Sequence, residues 1–238
     1  MRILSFDSSN STLSTALLLD QKILTENTIL ENGKQAEMLI CEIEKILHKN
    51  NIWYQDLDLI ATTSGPGSFT GVRISIAAAR GLKLATNLPL ILVNSLEAVA
   101  YKYRQKSGRI FVAFDARMDE FFIGSFLAEN NQIITLSEPH LVSLDNIANH
   151  LPQESFLLCG SGKNIVAKIC QNLQLQFEMS EAEDIIEAAT VGLLALKKFY
   201  DNEENAKNSD PLYLRDPKIS ERKEVKISGG QGRNRTDA

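Results

Sequence analysis

The residues best placed by type and spacing to do chemistry lie between Ser64 and Ile74. They read Ser-Gly-Pro-Gly-Ser-Phe-Thr-Gly-Val-Arg-Ile. An apolar run over 57–61, followed by β-branched Thr62 and Thr63, leads into this stretch, and a small-residue helical pattern over 72–85 leads out of it. Strand, glycine loop and helix can together hold an anion, because backbone N–H groups and the positive end of the helix dipole converge there. Gly65, Gly67 and Gly71 permit tight turns where a Cβ would clash, and Ser68 or Thr70 can cap the helix. The spacing is not the dinucleotide G-x-G-x-x-G with an acid about 20 residues on, and no Gly-Lys-Ser/Thr follows as in a P-loop. The motif rules therefore favour a structural loop and helix cap over a phosphate cradle.

Other candidate groups are few. Asp7 and Asp115 each follow a strand pattern, where a carboxylate can serve chemistry or simply close an Asx turn. The loop itself makes Gly65, Gly67 and Ser68 candidate anion-adjacent residues. The Gly160-Ser161-Gly162 loop is a lone G-x-G and weak by itself. The histidines, His48, His140 and His150, are scattered without partner spacing, so no metal site is expected. Cys41, Cys159 and Cys170 are an odd, unclustered set, which fits buried free thiols in a reducing compartment. No nucleophile elbow is present and nothing assigns a serine a base, so no catalytic residue is named.

The elements that would position these groups follow from periodicity. Strands are expected over 3–6, 13–19 and 23–30, then an amphipathic helix over 35–49 with apolar residues at i, i+3, i+4, i+7. A strand over 57–63, a helix over 70–85, a strand over 90–93 and a helix from Ser95 follow. The pattern then restarts. Arg2-Ile3-Leu4-Ser5-Phe6-Asp7 is echoed by Arg109-Ile110-Phe111-Val112-Ala113-Phe114-Asp115. Strands over 120–127 and 132–136, a helix near 144–150, a strand over 156–159 and helices near 164–173 and 184–200 complete the second round. Matching residues and matching element order predict an internal duplication of two βββαβα halves with mixed sheets. The expected division is 1–104, 105–216 and a flexible basic tail over 217–238.

The 238 residues allow one large domain or two small ones, and 44% apolar with 23% charged residues describe an ordinary globular chain. A net charge of −5 argues against gripping nucleic acid unaided. No membrane span or secretory signal is expected, so the reading is cytoplasmic.

The duplicated βββαβα order resembles the α/β fold of the actin-like group, also called RNase H-like or ASKHA, which includes sugar kinases and the Hsp70 ATPase. There the first-strand aspartate helps position magnesium and phosphate, with a glycine in the adjoining hairpin. Asp7 and Asp115 occupy that place, so the resemblance adds Asp7 to Gly65, Gly67 and Ser68 as candidate nucleotide- or anion-adjacent residues. The loops Asp7-Ser8-Ser9-Asn10-Ser11-Thr12 and Asp115-Ala116-Arg117-Met118-Asp119 lack that glycine. The Ser64–Ile74 signature resembles that of the bacterial TsaB (YeaZ) family. Supporting likenesses are Asn94-Ser95-Leu96-Glu97-Ala98-Val99-Ala100, Asp115-Ala116-Arg117 and Pro211-Leu212-Tyr213-Leu214-Arg215. The resemblance implies a non-catalytic subunit that binds and activates a TsaD-type catalytic subunit, for threonylcarbamoyladenosine formation beside the tRNA anticodon.

It further implies a TsaE-type ATPase as third partner, a homodimer when alone, tRNA contact through the complex, and no cofactor of its own beyond a nucleotide at the joint interface. The TsaD His-x-x-x-His metal pair is absent, since Gly33-Lys34-Gln35-Ala36-Glu37 stands there. The two helices of the first half would pair with the same helices of the partner. This makes Ala36, Leu39, Ile40, Ile43, Leu47, Val72, Ile74, Ala78 and Gly81 the candidate partner-binding residues. On periodicity alone the same stripes serve equally to cover the sheet. The rival reading is an active ATP-dependent kinase or acyl/carbamoyl transferase of the actin-like class.

Overall fold

In the computed structural model, which describes residues 1–10, 12–30, 33–181, 183–201, 212 and 214, the chain builds two five-stranded sheets of matching topology. The first half runs β1 (Arg2–Asp7), β2 (Leu13–Leu19), β3 (Lys22–Ile29), α1 (Gln35–Lys49), β4 (Leu59–Gly65), α2 (Phe69–Thr86), β5 (Leu90–Asn94) and α3 (Ser95–Tyr101). The second runs β6 (Gly108–Arg117), β7 (Glu120–Glu129), β8 (Gln132–Ser143), β9 (Phe156–Cys159), α4 (Lys163–Asn172), β10 (Phe177–Met179) and α5 (Ala188–Tyr200). Strand orders are β3-β2-β1-β4-β5 and β10-β9-β6-β7-β8. In each half the first three strands are antiparallel and the last two join in parallel. The duplication read from the sequence is thus present in the fold.

The two faces of β1 sort the layers, because successive side chains point opposite ways. Leu4 and Phe6 pack with Leu39, Ile43, Val72 and Ile76 beneath α1 and α2. Ile3 joins a central core with residues of α3, α5 and β6. A third core of Phe111, Phe121, Leu158 and Val166 lies beneath α4. Each fully buried Leu, Ile or Phe contributes about 1.5–3 kcal/mol.

The last helix of each half packs on the other half's sheet. Helix α3 lies on β6, β7 and β8, while α5 lies on β1, β2, β4 and β5. Its first turn is held by the first half: the Ala188 N–H donates to Ser14 Oγ at 2.9 Å and the Ala189 N–H to Glu26 Oε1 at 2.9 Å. Ser5 Oγ donates to the Ala188 carbonyl at 2.7 Å. Gly192 lets the helix approach closely, since a Cβ there would stand 2.6 Å from Leu18 Cδ1 and 2.8 Å from Ser5 Oγ.

Several elements differ from expectation. β4 starts at Leu59, because residues Tyr54–Asp56 form a 3₁₀ turn just before it. β8 continues to Ser143, seven residues beyond the expected end, and leaves only a 3₁₀ turn, Ile147–His150, where a helix was expected. β10 was missed, being three residues long at a sheet edge. α5 begins at Ala188 rather than near Asp184, because Asp184 turns into a buried polar cluster. Cys159 and Cys170 are buried as expected, but Cys41 is exposed on the outer side of α1. The tail over 217–238 lies outside the described residues.

Candidate functional site

A cleft of about 920 Å³ opens between the halves. Ser8, Asn10, Gln35, Gly67, Ser68 and Thr70 line one side; Phe114, Asp115, Arg117, Met118 and Ser161 line the other, with Leu212 and Leu214. Of the four anion-adjacent candidates, Gly67 and Ser68 reach this cleft, whereas Asp7 and Gly65 do not line it.

The glycine loop clasps the turn that follows β1. A Cβ on Gly67 would stand 2.3 Å from the Ser9 carbonyl oxygen, and one on Gly71 only 1.9 Å from that of Ser8. Gly65 has φ +93°, in the left-handed region that favours glycine, and a cis peptide joins it to Pro66. The Ser68 N–H donates to the Ser9 carbonyl at 2.7 Å, and the Gly71 N–H to Ser68 Oγ at 3.4 Å, so Ser68 is the helix cap. The Ser8 N–H donates to Ser75 Oγ, and Ser8 Oγ to the Gly71 carbonyl, both at 2.9 Å. The Ser9 carbonyl therefore takes the Ser68 amide, a donor that a phosphate oxygen would otherwise use.

Asp7 is fully buried. It accepts from the Ser9 N–H at 3.1 Å, from Ser9 Oγ at 2.7 Å and from Thr63 Oγ1. Burial pushes its carboxyl up to about 6, against the pull of the Thr63 and Ser9 hydrogen bonds. Its counterpart Asp115 is exposed and closes its own turn, accepting from the Arg117 N–H at 2.7 Å. The second half repeats the clasp. A Cβ on Gly160, with φ +102°, would stand 2.3 Å from the Ala113 carbonyl oxygen, which accepts from the Gly162 N–H at 2.9 Å.

Two groupings escaped sequence reasoning. Asp184 accepts from Tyr103 Oη at 2.5 Å, the Gly160 N–H at 2.7 Å and Ser180 Oγ at 2.6 Å, and pairs with Lys163 at 3.0 Å. Burial opposes its charge, yet these bonds from Ser180, Tyr103, Gly160 and Lys163 hold its carboxyl below the usual value. The cluster ties the turn after α3, the second glycine loop and the approach to α5 together, and its members stand 4 to 81 positions from Asp184 in sequence. The second is the pair His140 and His150, expected to be scattered but brought to 3.2 Å between ring nitrogens.

The candidate partner-binding residues divide by burial. Leu39, Ile43, Leu47 and Val72 lie in the core against the sheet, so their place is inside the fold rather than on its outer surface. The stripe period brings them under the helices, where burial from water is gained. Ala36, Ile40 and Gly81 are exposed, and Ile74 and Ala78 are half-buried. Leu84 is 88% exposed, one helical turn from Gly81.

Fold and cleft define an α/β protein of the actin-like class, duplicated about a central helical layer. Residues 33–223 match the family model described as "TsaD: tRNA N6-adenosine threonylcarbamoyltransferase". The chain therefore belongs to that family, within which it is of the TsaB (YeaZ) type. It is 28% identical over 222 residues, 90% of this chain and 95% of the relative, to the tRNA threonylcarbamoyladenosine biosynthesis protein TsaB of Escherichia coli. It is 33% identical to the protein of the same name from Bacillus subtilis over 130 residues, 55% of this chain and 57% of that relative. Its fold matches, at TM-score 0.77 and 25% identity, a Pseudomonas aeruginosa protein described as similar to peptidase YeaZ, over 90% of this chain and 99% of that one.

Proposed function

We propose that this chain is a non-catalytic subunit required for threonylcarbamoyladenosine formation beside the tRNA anticodon, acting by binding and activating a TsaD-type catalytic subunit. The observation that carries this reading is Gly81. Glycine inside a helix costs about 1 kcal/mol relative to alanine. Among the described residues a Cβ at Gly81 would meet nothing within 4 Å, so they impose no steric need of glycine there. Leu84, one helical turn on, is an exposed apolar side chain of the same helix, and Ile40 is another on α1. A bare backbone flanked by apolar side chains suits another helix packed at close range.

The cleft supports the same reading. The loop amide of Ser68 is taken by Ser9, and Asp7 is sealed from the cleft. A TsaE-type ATPase completes the assembly, a nucleotide belongs to the joint interface rather than to this chain alone, and tRNA is met through the complex in the cytoplasm. The same face supports a homodimer when the partner is missing.

The test is reconstitution of tRNA modification with TsaD-type and TsaE-type proteins and the adenylate-forming enzyme, with and without this chain. Product is expected only with it; full product without it refutes the proposal. Magnesium-dependent ATP binding by the isolated chain would favour an active actin-like kinase or transferase instead.

A further inference from the structure

We propose that His140 and His150 form a surface site for one divalent transition-metal ion of the zinc, nickel or copper class. His140 lies near the end of β8 and His150 closes the 3₁₀ turn that follows. Their facing nitrogens, His140 Nε2 and His150 Nδ1, stand 3.2 Å apart, and the ring centroids 4.8 Å. Two imidazole nitrogens on one ion at the usual bond length are roughly 2.9 Å apart for a right angle and roughly 3.3 Å for a tetrahedral one. The observed separation falls within that span, so chelation requires little more than turning the lone pairs toward a common point.

The tautomers are set by the surroundings. His140 Nδ1 lies 2.8 Å from the Glu138 carbonyl oxygen, which can only accept. Nδ1 therefore carries the proton, and in the neutral ring Nε2 presents its lone pair. A metal-ligating histidine usually donates its far N–H to a backbone carbonyl or carboxylate in this way, which fixes tautomer and ring orientation. Without metal, His150 Nδ1–H donates to His140 Nε2. With metal, the His150 proton moves to its own Nε2 through solvent, and Nδ1 becomes the second ligand. The count of protons on the pair is unchanged.

His150 is exposed and His140 half-buried, which leaves an entry path from solvent. Among the described residues no third His, Cys, Asp or Glu joins them, so water fills the remaining positions. Imidazole pairs select borderline ions such as Zn²⁺, Ni²⁺ and Cu²⁺ over magnesium or calcium. The ion would clip the turn at Ile147–His150 to the edge strand β8.

The test uses the full chain carrying Cys41→Ser, which removes the exposed thiol. ZnCl₂, NiCl₂ and CuCl₂ are titrated at neutral pH by calorimetry, and thermal melts are run with and without each ion. One ion per chain is expected, with Cu²⁺ bound most tightly and Tm raised by saturating metal. Electron paramagnetic resonance of the Cu²⁺ form should show two coordinated nitrogens. His140→Ala and His150→Ala should each lower affinity by at least the roughly tenfold that losing a group hydrogen-bonded to a ligand costs. His48→Ala should leave affinity unchanged. Equal binding by the double variant His140→Ala, His150→Ala, or loss of binding with His48→Ala alone, would overturn the proposal. Magnesium bound as tightly as zinc would do the same.

Discussion

At the scale of single residues, Asp7 holds a position where a carboxylate can meet a cation, yet its described partners are Ser9 and Thr63. Burial raises its pKa from 3.8 to about 6. The folded state therefore binds more protons than the unfolded state between about pH 4 and about 6. Stability contributed by this group is fullest below that window and falls as pH rises through it. Two pKa units correspond to about 3 kcal/mol, an upper figure for one group. Denaturant unfolding from pH 4 to 7 should show this fall in the wild type and a flatter profile in Asp7→Asn. The comparison is of slopes, because asparagine also changes the hydrogen bonds to Ser9 and Thr63. Identical slopes would mean that Asp7 does not titrate in this window.

At the scale of elements, α2 carries opposite demands on its two faces. Its inner face holds Val72, Ile76 and Ala79 against the sheet, and its outer face is bare at Gly81. Gly81→Ala should therefore stabilise the isolated chain by up to about 1 kcal/mol while weakening association with a TsaD-type partner. Ala78→Glu should leave a folded chain that no longer co-elutes with that partner. A Gly81→Ala protein that is more stable and binds equally well would remove the argument for close helix contact. The extents of α1 and α2 were legible because apolar periodicity and the Ser68 cap mark them within the sequence. The 3₁₀ turn at Ile147–His150 was not, since Leu144, Ile147 and Leu151 have a helical spacing that a single turn over the third core also satisfies. The glycine loop was visible, but not its occupant. That the turn at Ser8–Ser9 packs against it depends on contacts some 60 residues distant. His140 and His150 meet because β8 runs longer than its apolar pattern announces.

At the scale of the whole molecule, the exchange of helices between halves decides how the cleft is held. The division near residue 104 follows the sequence repeat, yet α5, from the second half, seats on the first sheet through Ser5, Ser14 and Glu26. The cleft walls at Ser68 and Arg117 thus belong to halves that are bolted together on the far side by a shared central layer. Gly192 is the point of closest approach in that layer, and unlike Gly81 it has no room. A Cβ there would stand 2.6 Å from Leu18 Cδ1, and Leu18 is itself fully buried between sheet and helix. Gly192→Leu should therefore destabilise the chain by about 1–3 kcal/mol, the usual cost of overpacking. For a chain of this size that is a Tm loss of roughly 2–4 °C for each kcal/mol. It should also speed proteolysis in the 102–108 connection, as α5 lifts and the halves separate. The same residue type replaced at Gly81 moves Tm the other way. Calorimetry on the two variants side by side checks both signs, and an unchanged Tm for Gly192→Leu would show that α5 is not what joins the halves.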